Sequence, residues 1–269
     1  MPLWTFFGLA RGKATTNWPR GDGDNGQAGG LGMPRYHPER CKADCDDCVG
    51  ACLPGAIRLR PQGQGGPRLE LDYGRCVACR LCTEVCADGA LTPSADWAFG
   101  VRSREDLRWT EAIGSAPAQR LKGAIHAAFG RSLHVRHVDA GSCNGCESEL
   151  QALNNPFYNL HRLGVFFTPS PRFSDLLLVT GPVTYTMREP LLETYRAMPE
   201  PRWIMAVGTC AVSGGVAGGG YACAHGLDGI LPADVYLPGC PPNPAAIIEA
   251  LLMLLQRAPQ RVKGGRLVD

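Results

Sequence analysis

The chain has 269 residues, of which 45% are apolar and 19% are charged, and its formal net charge is +2. This composition is typical of a globular chain long enough for two small domains with a sizeable core. The charge gives no indication of a nucleic-acid partner. The pattern of a secretory signal, a charged start followed by an apolar run, is not seen in the sequence. The longest apolar segment, 245–255, is interrupted by Glu249 and is far shorter than the roughly 20 residues of a membrane span. We therefore expect a cytoplasmic protein.

Residues 1–35 predict an arm rather than a domain. They hold Trp4, Phe6 and Phe7, followed by a run rich in Gly, Asp and Asn at 21–32. Such a run buries little apolar surface, which favours either a flexible segment or one that is ordered by a partner. Both alternatives stay open at this point.

Cysteine is the outlying residue type, with 13 copies. In the reducing compartment expected here, clustered cysteines indicate metal ligands rather than disulfides. Residues 36–93 contain two runs of four cysteines, which form an internal duplication. The first run is C-K-A-D-C-D-D-C-V-G-A-C, with Cys41, Cys45, Cys48 and Cys52. The second run is C-V-A-C-R-L-C-T-E-V-C, with Cys76, Cys79, Cys82 and Cys86.

The spacing within the two runs predicts two 4Fe-4S clusters that exchange their fourth ligands. Three closely spaced thiolates wrap one face of a cubane, whereas the fourth lies one turn further on in a short helix and ligates the other cluster. A zinc module is the alternative, but zinc usually takes two separated pairs of ligands and has no use for a third closely spaced cysteine. The first predicted set is Cys41, Cys45, Cys48 and Cys86, and the second is Cys52, Cys76, Cys79 and Cys82.

This segment resembles the bacterial-type two-cluster ferredoxin and, more closely, the ferredoxin-like subunit of formate hydrogenlyase and of complex I. The stretches G-K-A-T-T-N-W-P at 12–19 and D-Y-G-R-C at 72–76 match that subunit as well. The resemblance implies a small α+β domain with two 4Fe-4S clusters. One departure is the gap between Cys41 and Cys45, which holds three residues where the family has two.

Residues 94–130 contain no cysteine and no catalytic set, and they predict a connector with a helical stretch at 121–129. Its expected task is to hold the two modules at a fixed separation, and a floppy linker is the alternative.

Residues 131–257 predict an α/β domain, followed by a tail at 258–269. Short apolar runs alternate here with helical patterns, which indicates a parallel sheet covered on both faces. In such sheets, binding sites form in the crevice at the carboxyl ends of the strands. Strands are predicted at 133–138, 165–167, 175–180, 203–207 and 230–237, and helices around 190–197 and at 244–257.

Three turns at that edge of the sheet supply four more cysteines. G-S-C-N-G-C-E at 141–147 brings Cys143 and Cys146, V-G-T-C-A brings Cys210, and L-P-G-C-P-P brings Cys240. The sequence therefore predicts a third site built from four thiolates. Glu147 and Glu149 are interpreted as an acidic first helical turn that the helix dipole favours, with proton movement toward a partner as the alternative. Cys223 has no partner motif and is predicted to be a structural thiol rather than a ligand.

Four motifs in this region resemble, in order, the small subunit of NiFe hydrogenases. They are S-C-N-G-C-E, T-G-P-V-T at 180–184, G-T-C-A-V-S-G-G at 208–215 and D-V-Y-L-P-G-C-P-P at 234–242. The resemblance is to the membrane-bound energy-converting group that includes formate hydrogenlyase, and to the homologous subunit of complex I. It implies a flavodoxin-like domain whose 4Fe-4S cluster, held by Cys143, Cys146, Cys210 and Cys240, faces a large catalytic subunit. The complex I homologue has adjacent cysteines at the first site, whereas two residues separate them here, as in hydrogenases.

Taken together, the resemblances imply an electron-transfer subunit that relays electrons through three 4Fe-4S clusters and has no catalytic residue of its own. The implied partners are a NiFe hydrogenase large subunit or its complex I-like equivalent, an electron donor such as a formate dehydrogenase or ferredoxin-type protein, and integral membrane subunits. Through them the chain would lie at the inner face of the cytoplasmic membrane. Two alternatives stay open: the equivalent relay subunit of a complex without nickel, and a non-catalytic iron-sulfur redox sensor.

Overall fold

The structure is a computed structural model that describes residues 3–11, 30–42, 44–60, 69–109 and 132–255, and the backbone of 262–263 and 266–267. The chain divides into two units, Met1–Gly30 and Leu31–Asp269. In the first unit, helix α1 (Leu3–Arg11) is described, and Leu3, Phe6 and Leu9 on it are exposed. The elements below belong to the second unit.

The two cysteine runs lie in a small α+β region, where the duplication in the sequence is visible as a repeated structure. In each repeat, a cysteine-bearing loop enters a short helix and leaves through a short strand. Helix α2 (Asp47–Ala51) precedes strand β2 (Ile57–Leu59), and helix α3 (Leu81–Glu84) precedes strand β4 (Leu91–Thr92). The predicted ferredoxin-like α+β fold is confirmed. Two antiparallel sheets complete it: β1 (Arg35–Tyr36) with β4, and β2, β3 (Leu69–Asp72) and β5 (Arg108–Trp109).

The first residues of the predicted connector pack on this region. Strand β5 pairs with β3, and the Tyr73 and Phe99 rings lie with their centroids 4.8 Å apart. The Ser94 hydroxyl donates to the Met33 carbonyl at 2.6 Å. Residues 110–130, including the helix predicted at 121–129, lie outside the described residues. The division of the chain into an arm, two domains, a connector and a tail therefore stays a prediction.

The second region is built on a five-stranded parallel sheet with the order β7-β6-β8-β9-β10. Counted along the chain this order is 2-1-3-4-5, which is that of flavodoxin-like sheets. Every residue of β8 and β9 is buried, as expected for strands covered on both faces. The predicted α/β class with a flavodoxin-like sheet is confirmed. The strands are β6 (Leu133–Asp139), β7 (Val165–Phe167), β8 (Leu176–Thr180), β9 (Trp203–Val207) and β10 (Val235–Leu237).

Helices cover this sheet, and the last of them is buried along its whole length. That helix begins at Pro244, and the Asn243 side chain caps it by accepting from the Ala246 amide at 2.8 Å. Proline in the first turn and asparagine at the cap are both favoured at a helix start. The helices are α4 (Gly145–Ala152), α5 (Tyr185–Arg196), α6 (Thr209–Ser213) and α7 (Pro244–Leu254). Short 3-10 helices occur at Pro38–Arg40, Arg104–Leu107, Leu160–Leu163 and Pro171–Phe173, and β11 (Val262–Lys263) pairs with β12 (Arg266–Leu267).

Two elements of the sheet region differ from their predicted bounds. The last strand is limited to Val235–Leu237 because the residues before it form a turn, in which the Leu231 amide donates to the Leu227 carbonyl at 3.1 Å. Helix α5 begins at Tyr185, five residues earlier than predicted. Its first turn is mostly exposed and therefore lacks the apolar periodicity on which the prediction rested.

Backbone and side-chain bonds join the two regions. Val101 and Tyr236 exchange two backbone hydrogen bonds of 3.0 and 2.8 Å, which adds one residue to the edge of β10. The Arg102 guanidinium donates to the Met253 carbonyl at 2.8 Å. Buried residues from both regions also share one hydrophobic core. The ferredoxin-like region is thus fixed against β10 and α7.

Candidate iron-sulfur cluster sites

The first predicted quartet lies around one cavity of the ferredoxin-like region, which we call site 1. The cavity measures about 330 Å³, including space open to solvent, and is lined by Cys41, Cys45, Cys48 and Cys86. Burial raises the pKa of Cys48 to about 12, and Cys41 and Cys86 add to the rise by charge repulsion. The Leu91 amide donates to the Cys86 sulfur at 3.4 Å. The longer first gap therefore does not keep Cys45 from reaching this group.

The second predicted quartet surrounds a neighbouring cavity, site 2, of about 430 Å³ including space open to solvent; its thiols are Cys52, Cys76, Cys79 and Cys82. Burial raises the pKa of Cys76 and of Cys82 to about 12 each. The Ala56 amide donates to the Cys52 sulfur at 3.2 Å. The Ala78 amide donates to the Cys76 sulfur at 3.4 Å, which opposes the rise. Amides that donate to sulfur stabilise the thiolate form and tune a metal site.

Four of the remaining five cysteines meet at the carboxyl ends of three parallel strands, at site 3. Cys143 and Cys146 lie in the turn from β6 to α4, Cys210 follows β9, and Cys240 follows β10. Burial raises the pKa of Cys146, and Glu147, Cys210 and Cys240 contribute in that order. Burial raises the pKa of Cys210 to about 11, followed by repulsion from Cys240 and Cys143. Because the other three thiols all contribute to the raised pKa of Cys146, the four lie close together.

Hydrogen bonds from polar side chains shape the turn that carries Cys143 and Cys146. Asp139 accepts from the amides of Gly141 and Ser142 at 2.9 and 2.7 Å. Glu147 accepts from the Ser142 hydroxyl at 2.6 Å and from the Thr180 hydroxyl. Glu147 therefore ties this turn to the end of β8, a role that the sequence did not indicate because Thr180 lies in another strand.

Gly208 shows why the turn after β9 needs glycine. Its φ is +89°, a conformation that other residues rarely adopt, and a Cβ built there would lie 2.6 Å from the Cys146 sulfur. The backbone therefore passes against the thiol of a different turn, and any side chain at this position would displace that thiol.

Cys223 is buried, and its thiol donates to the Ala217 carbonyl. It also contributes to the raised pKa of Cys210, after burial, Cys240 and Cys143. Its interpretation as a structural thiol stays a prediction.

The three sites are connected in the order site 1, site 2, site 3, and we call this series of contacts the row. Sites 1 and 2 are neighbours, since Cys82 is among the groups that raise the pKa of Cys48. Sites 2 and 3 are neighbours, since the Thr209 hydroxyl, next to Cys210, donates to the Cys76 carbonyl at 2.9 Å. Site 2 therefore adjoins both of the other sites.

The donor sets match the chemistry of a cluster, because each site gathers four thiols, which is the ligand set of a 4Fe-4S cubane. Bound iron would oppose the burial that raises the pKa of six of these thiols, because it supplies positive charge; the six are Cys48, Cys76, Cys82, Cys146, Cys210 and Cys240.

The comparisons with known proteins agree with this chemistry. A family profile described as NADH ubiquinone oxidoreductase, 20 kDa subunit, matches residues 143–254, and one described as 4Fe-4S dicluster domain matches 25–90. The probable membrane-bound hydrogenase subunit mbhJ of Pyrococcus furiosus is 42% identical over 136 residues, which are 51% of this chain and 81% of that protein. The chain belongs to the 20 kDa subunit family of NADH ubiquinone oxidoreductase.

Formate hydrogenlyase subunit 7 of Escherichia coli is 41% identical over 152 residues. The match covers 56% of this chain and 58% of that protein, so the chain spans little more than half of that relative. Among solved structures, a chain of the membrane-bound sulfane sulfur reductase, an archaeal respiratory membrane complex, is 33% identical, with 50% of this chain and 75% of that chain covered and a TM-score of 0.44. The resemblance to formate hydrogenlyase-type and complex I subunits is confirmed by the family and its relatives. Within the described residues, no helix combines the length and the apolar character that crossing a membrane requires.

Proposed function

We propose that this chain is the electron-transfer subunit of a membrane-associated NiFe hydrogenase complex of the formate hydrogenlyase type. The observation that carries the proposal is the row of three cysteine quartets within one compact unit. Clusters bound there would supply one-electron chemistry, which amino-acid side chains at these sites do not offer. The proposed ligands are Cys41, Cys45, Cys48 and Cys86 at site 1, Cys52, Cys76, Cys79 and Cys82 at site 2, and Cys143, Cys146, Cys210 and Cys240 at site 3.

The residues of the chain bind the clusters and set their surroundings. Amides donate to the sulfurs of Cys52, Cys76 and Cys86, and buried residues limit the access of water. Amide donors and burial both adjust the potential of an iron-sulfur centre. The chain thus positions and tunes electron carriers and performs no bond chemistry itself.

We take the order of these contacts as the order of electron transfer. Site 1 lies at one end of the row, site 2 in the middle and site 3 at the other end. At site 3, Cys143 and Cys240 are exposed, which leaves that end open to a partner. We place the large subunit beside site 3 and the electron donor or acceptor beside site 1, with residues 36–93 and 131–257 as the two cluster-bearing domains.

The relatives support the choice of partner. Their names are those of formate hydrogenlyase and membrane-bound hydrogenase subunits, and the pair Cys143 and Cys146 has the spacing of hydrogenases. The proposed partners are a NiFe large subunit, a donor such as a formate dehydrogenase or ferredoxin-type protein, and integral membrane subunits. These subunits would hold the chain at the inner face of the cytoplasmic membrane.

The test is to purify the chain from its native host with its associated subunits, without oxygen. We expect a large subunit with two C-x-x-C pairs to co-purify and the complex to evolve hydrogen from a low-potential dye. Cys143→Ser should abolish hydrogen evolution, whereas Cys223→Ser, the matched control, should retain it. A co-purifying large subunit without those pairs would point to a relay without nickel, as in complex I. Absence of any large subunit would favour a redox sensor.

A further inference from the structure

Thr209 lies where the two cluster-bearing regions touch. It is 1% exposed and begins helix α6, directly before Cys210. Its hydroxyl donates to the Cys76 carbonyl at 2.9 Å and accepts from the Gly239 amide at 3.1 Å. Gly239 directly precedes Cys240. One side chain therefore connects the backbone of site 2 with two of the three turns that form site 3.

The contact between the two regions does not depend on this hydroxyl alone. The two regions are also joined by the paired backbone bonds of Val101 and Tyr236, by the bond from Arg102 to Met253, and by a shared core. These contacts lie on β10 and α7. The bonds of Thr209, by contrast, act on backbone groups of Cys76 and Gly239, which belong to the turns that carry the thiols.

The bonds also form a continuous path between two proposed ligands. From the Cys76 sulfur the path follows the side chain and carbonyl of Cys76, crosses the hydrogen bond to the Thr209 hydroxyl, and continues through the peptide to Cys210 and its sulfur. All its other steps are covalent bonds. Thr209 thus supplies the single non-covalent step between site 2 and site 3 along this path.

We propose that Thr209 is the positioning residue that couples site 2 to site 3, by holding the turns of Cys76, Cys210 and Cys240 in one hydrogen-bonded unit. This inference rests on the proposed relay function. Thr209 gains or loses neither a proton nor an electron in this role. The one electron that leaves the cluster of site 2 is the electron that reduces the cluster of site 3, and the reverse holds for the opposite direction.

The test uses the full chain, purified without oxygen, and three variants. Thr209→Val keeps the branched shape and removes the hydroxyl, and Thr209→Ser keeps the hydroxyl. Thr194→Val is the matched control, because the Thr194 hydroxyl donates to the Pro190 carbonyl within its own helix. The measurements are iron per chain, hydrogen exchange of the Gly239 amide, and the arrival of a flash-injected electron at site 3, followed by freeze-quench electron paramagnetic resonance.

We expect Thr209→Val to keep the iron of the unmodified chain while the transfer rate falls severalfold. The Gly239 amide should exchange about tenfold faster, because a buried donor loses its acceptor. Thr209→Ser and Thr194→Val should match the unmodified chain in all three measurements.

Three results would overturn the inference. If Thr209→Val transfers electrons at the unmodified rate with its iron intact, the hydroxyl has no part in coupling. If Thr209→Ser transfers electrons as slowly as Thr209→Val, loss of the hydroxyl is not the cause of the slower transfer. Iron loss from site 3 in Thr209→Val would make Thr209 a scaffold of that site alone. If the unmodified chain holds no clusters, it is the proposed relay function that fails.

Discussion

The ferredoxin-like region and the sheet region gather four thiols in different ways. In the first region, three thiols of each site come from one short segment, and the fourth comes from the other repeat. In the second, the thiols come from turns after three strands of one sheet, β6, β9 and β10. The helices of the first region are the short α2 and α3, whereas β8 and β9 are buried throughout. We infer that clusters organise the ferredoxin-like region, and that the sheet organises the cluster of site 3.

Removal of all clusters, by an oxidant and a chelator, should have the largest effect. The ferredoxin-like region should lose its hydrogen-exchange protection, because metal binding supplies much of its folding free energy and its short helices are not stable alone. The strands β8 and β9 should stay protected. Equal loss of protection in both regions would contradict the distinction drawn between them.

The next effect concerns one ligand of the sheet region. Cys240→Ser should lose one cluster, which is about four irons per chain, while sites 1 and 2 keep theirs. Cys223→Ser is the matched control and should leave the iron content unchanged. Iron analysis of both variants is the measurement, and equal losses would mean that the fourth ligand of site 3 is misassigned.

A matched pair of core substitutions tests the difference between the two regions. Leu178→Ala, in β8, removes a fully buried side chain and should destabilise the sheet region by about 2–5 kcal/mol without loss of iron. Leu71→Ala makes the same change at a buried position that also lines site 2, so it should release iron from that site as well. Calorimetry and iron analysis distinguish the two. Iron loss from Leu178→Ala but not from Leu71→Ala would contradict this expectation.

The smallest effect is a pH dependence within the sheet region. Burial lowers the pKa of His137, although Glu147 and Asp139 oppose this. The unfolded chain, in which the histidine pKa is about 6.5, then binds the proton more readily than the folded one. The resulting stability is complete above that pKa and is lost as the pH falls below it, toward and through the lower pKa of the folded state. His137→Gln should weaken the fall in melting temperature between about pH 7.5 and about pH 5.5, and an unchanged fall would contradict this cause.

The sequence indicated most of the features that depend on short stretches of the chain. Spacing, together with the exchange of fourth ligands in two-cluster ferredoxins, grouped the eight cysteines that line sites 1 and 2. Apolar runs located β7 and β9 at their observed bounds. The carboxyl-edge rule for parallel sheets then placed Cys143, Cys146, Cys210 and Cys240 together.

What the sequence did not indicate depends on contacts between distant segments. The pairing of Val101 with Tyr236 and the bond from Thr209 to Cys76 join residues that share no periodic pattern. The Glu147 bonds to Ser142 and Thr180 likewise need the fold, because Thr180 belongs to β8. Strand β10 was predicted too long because an apolar turn and an apolar strand have similar composition.

The most direct test is the cluster content of the full chain, purified without oxygen. Chemical analysis should find about 12 irons and about 12 acid-labile sulfides per chain, as three cubanes require. About eight of each would mean that one of the three sites holds no cluster, and the row from site 1 to site 3 would be broken. Zinc in place of iron at any quartet would contradict an electron-relay role for that region.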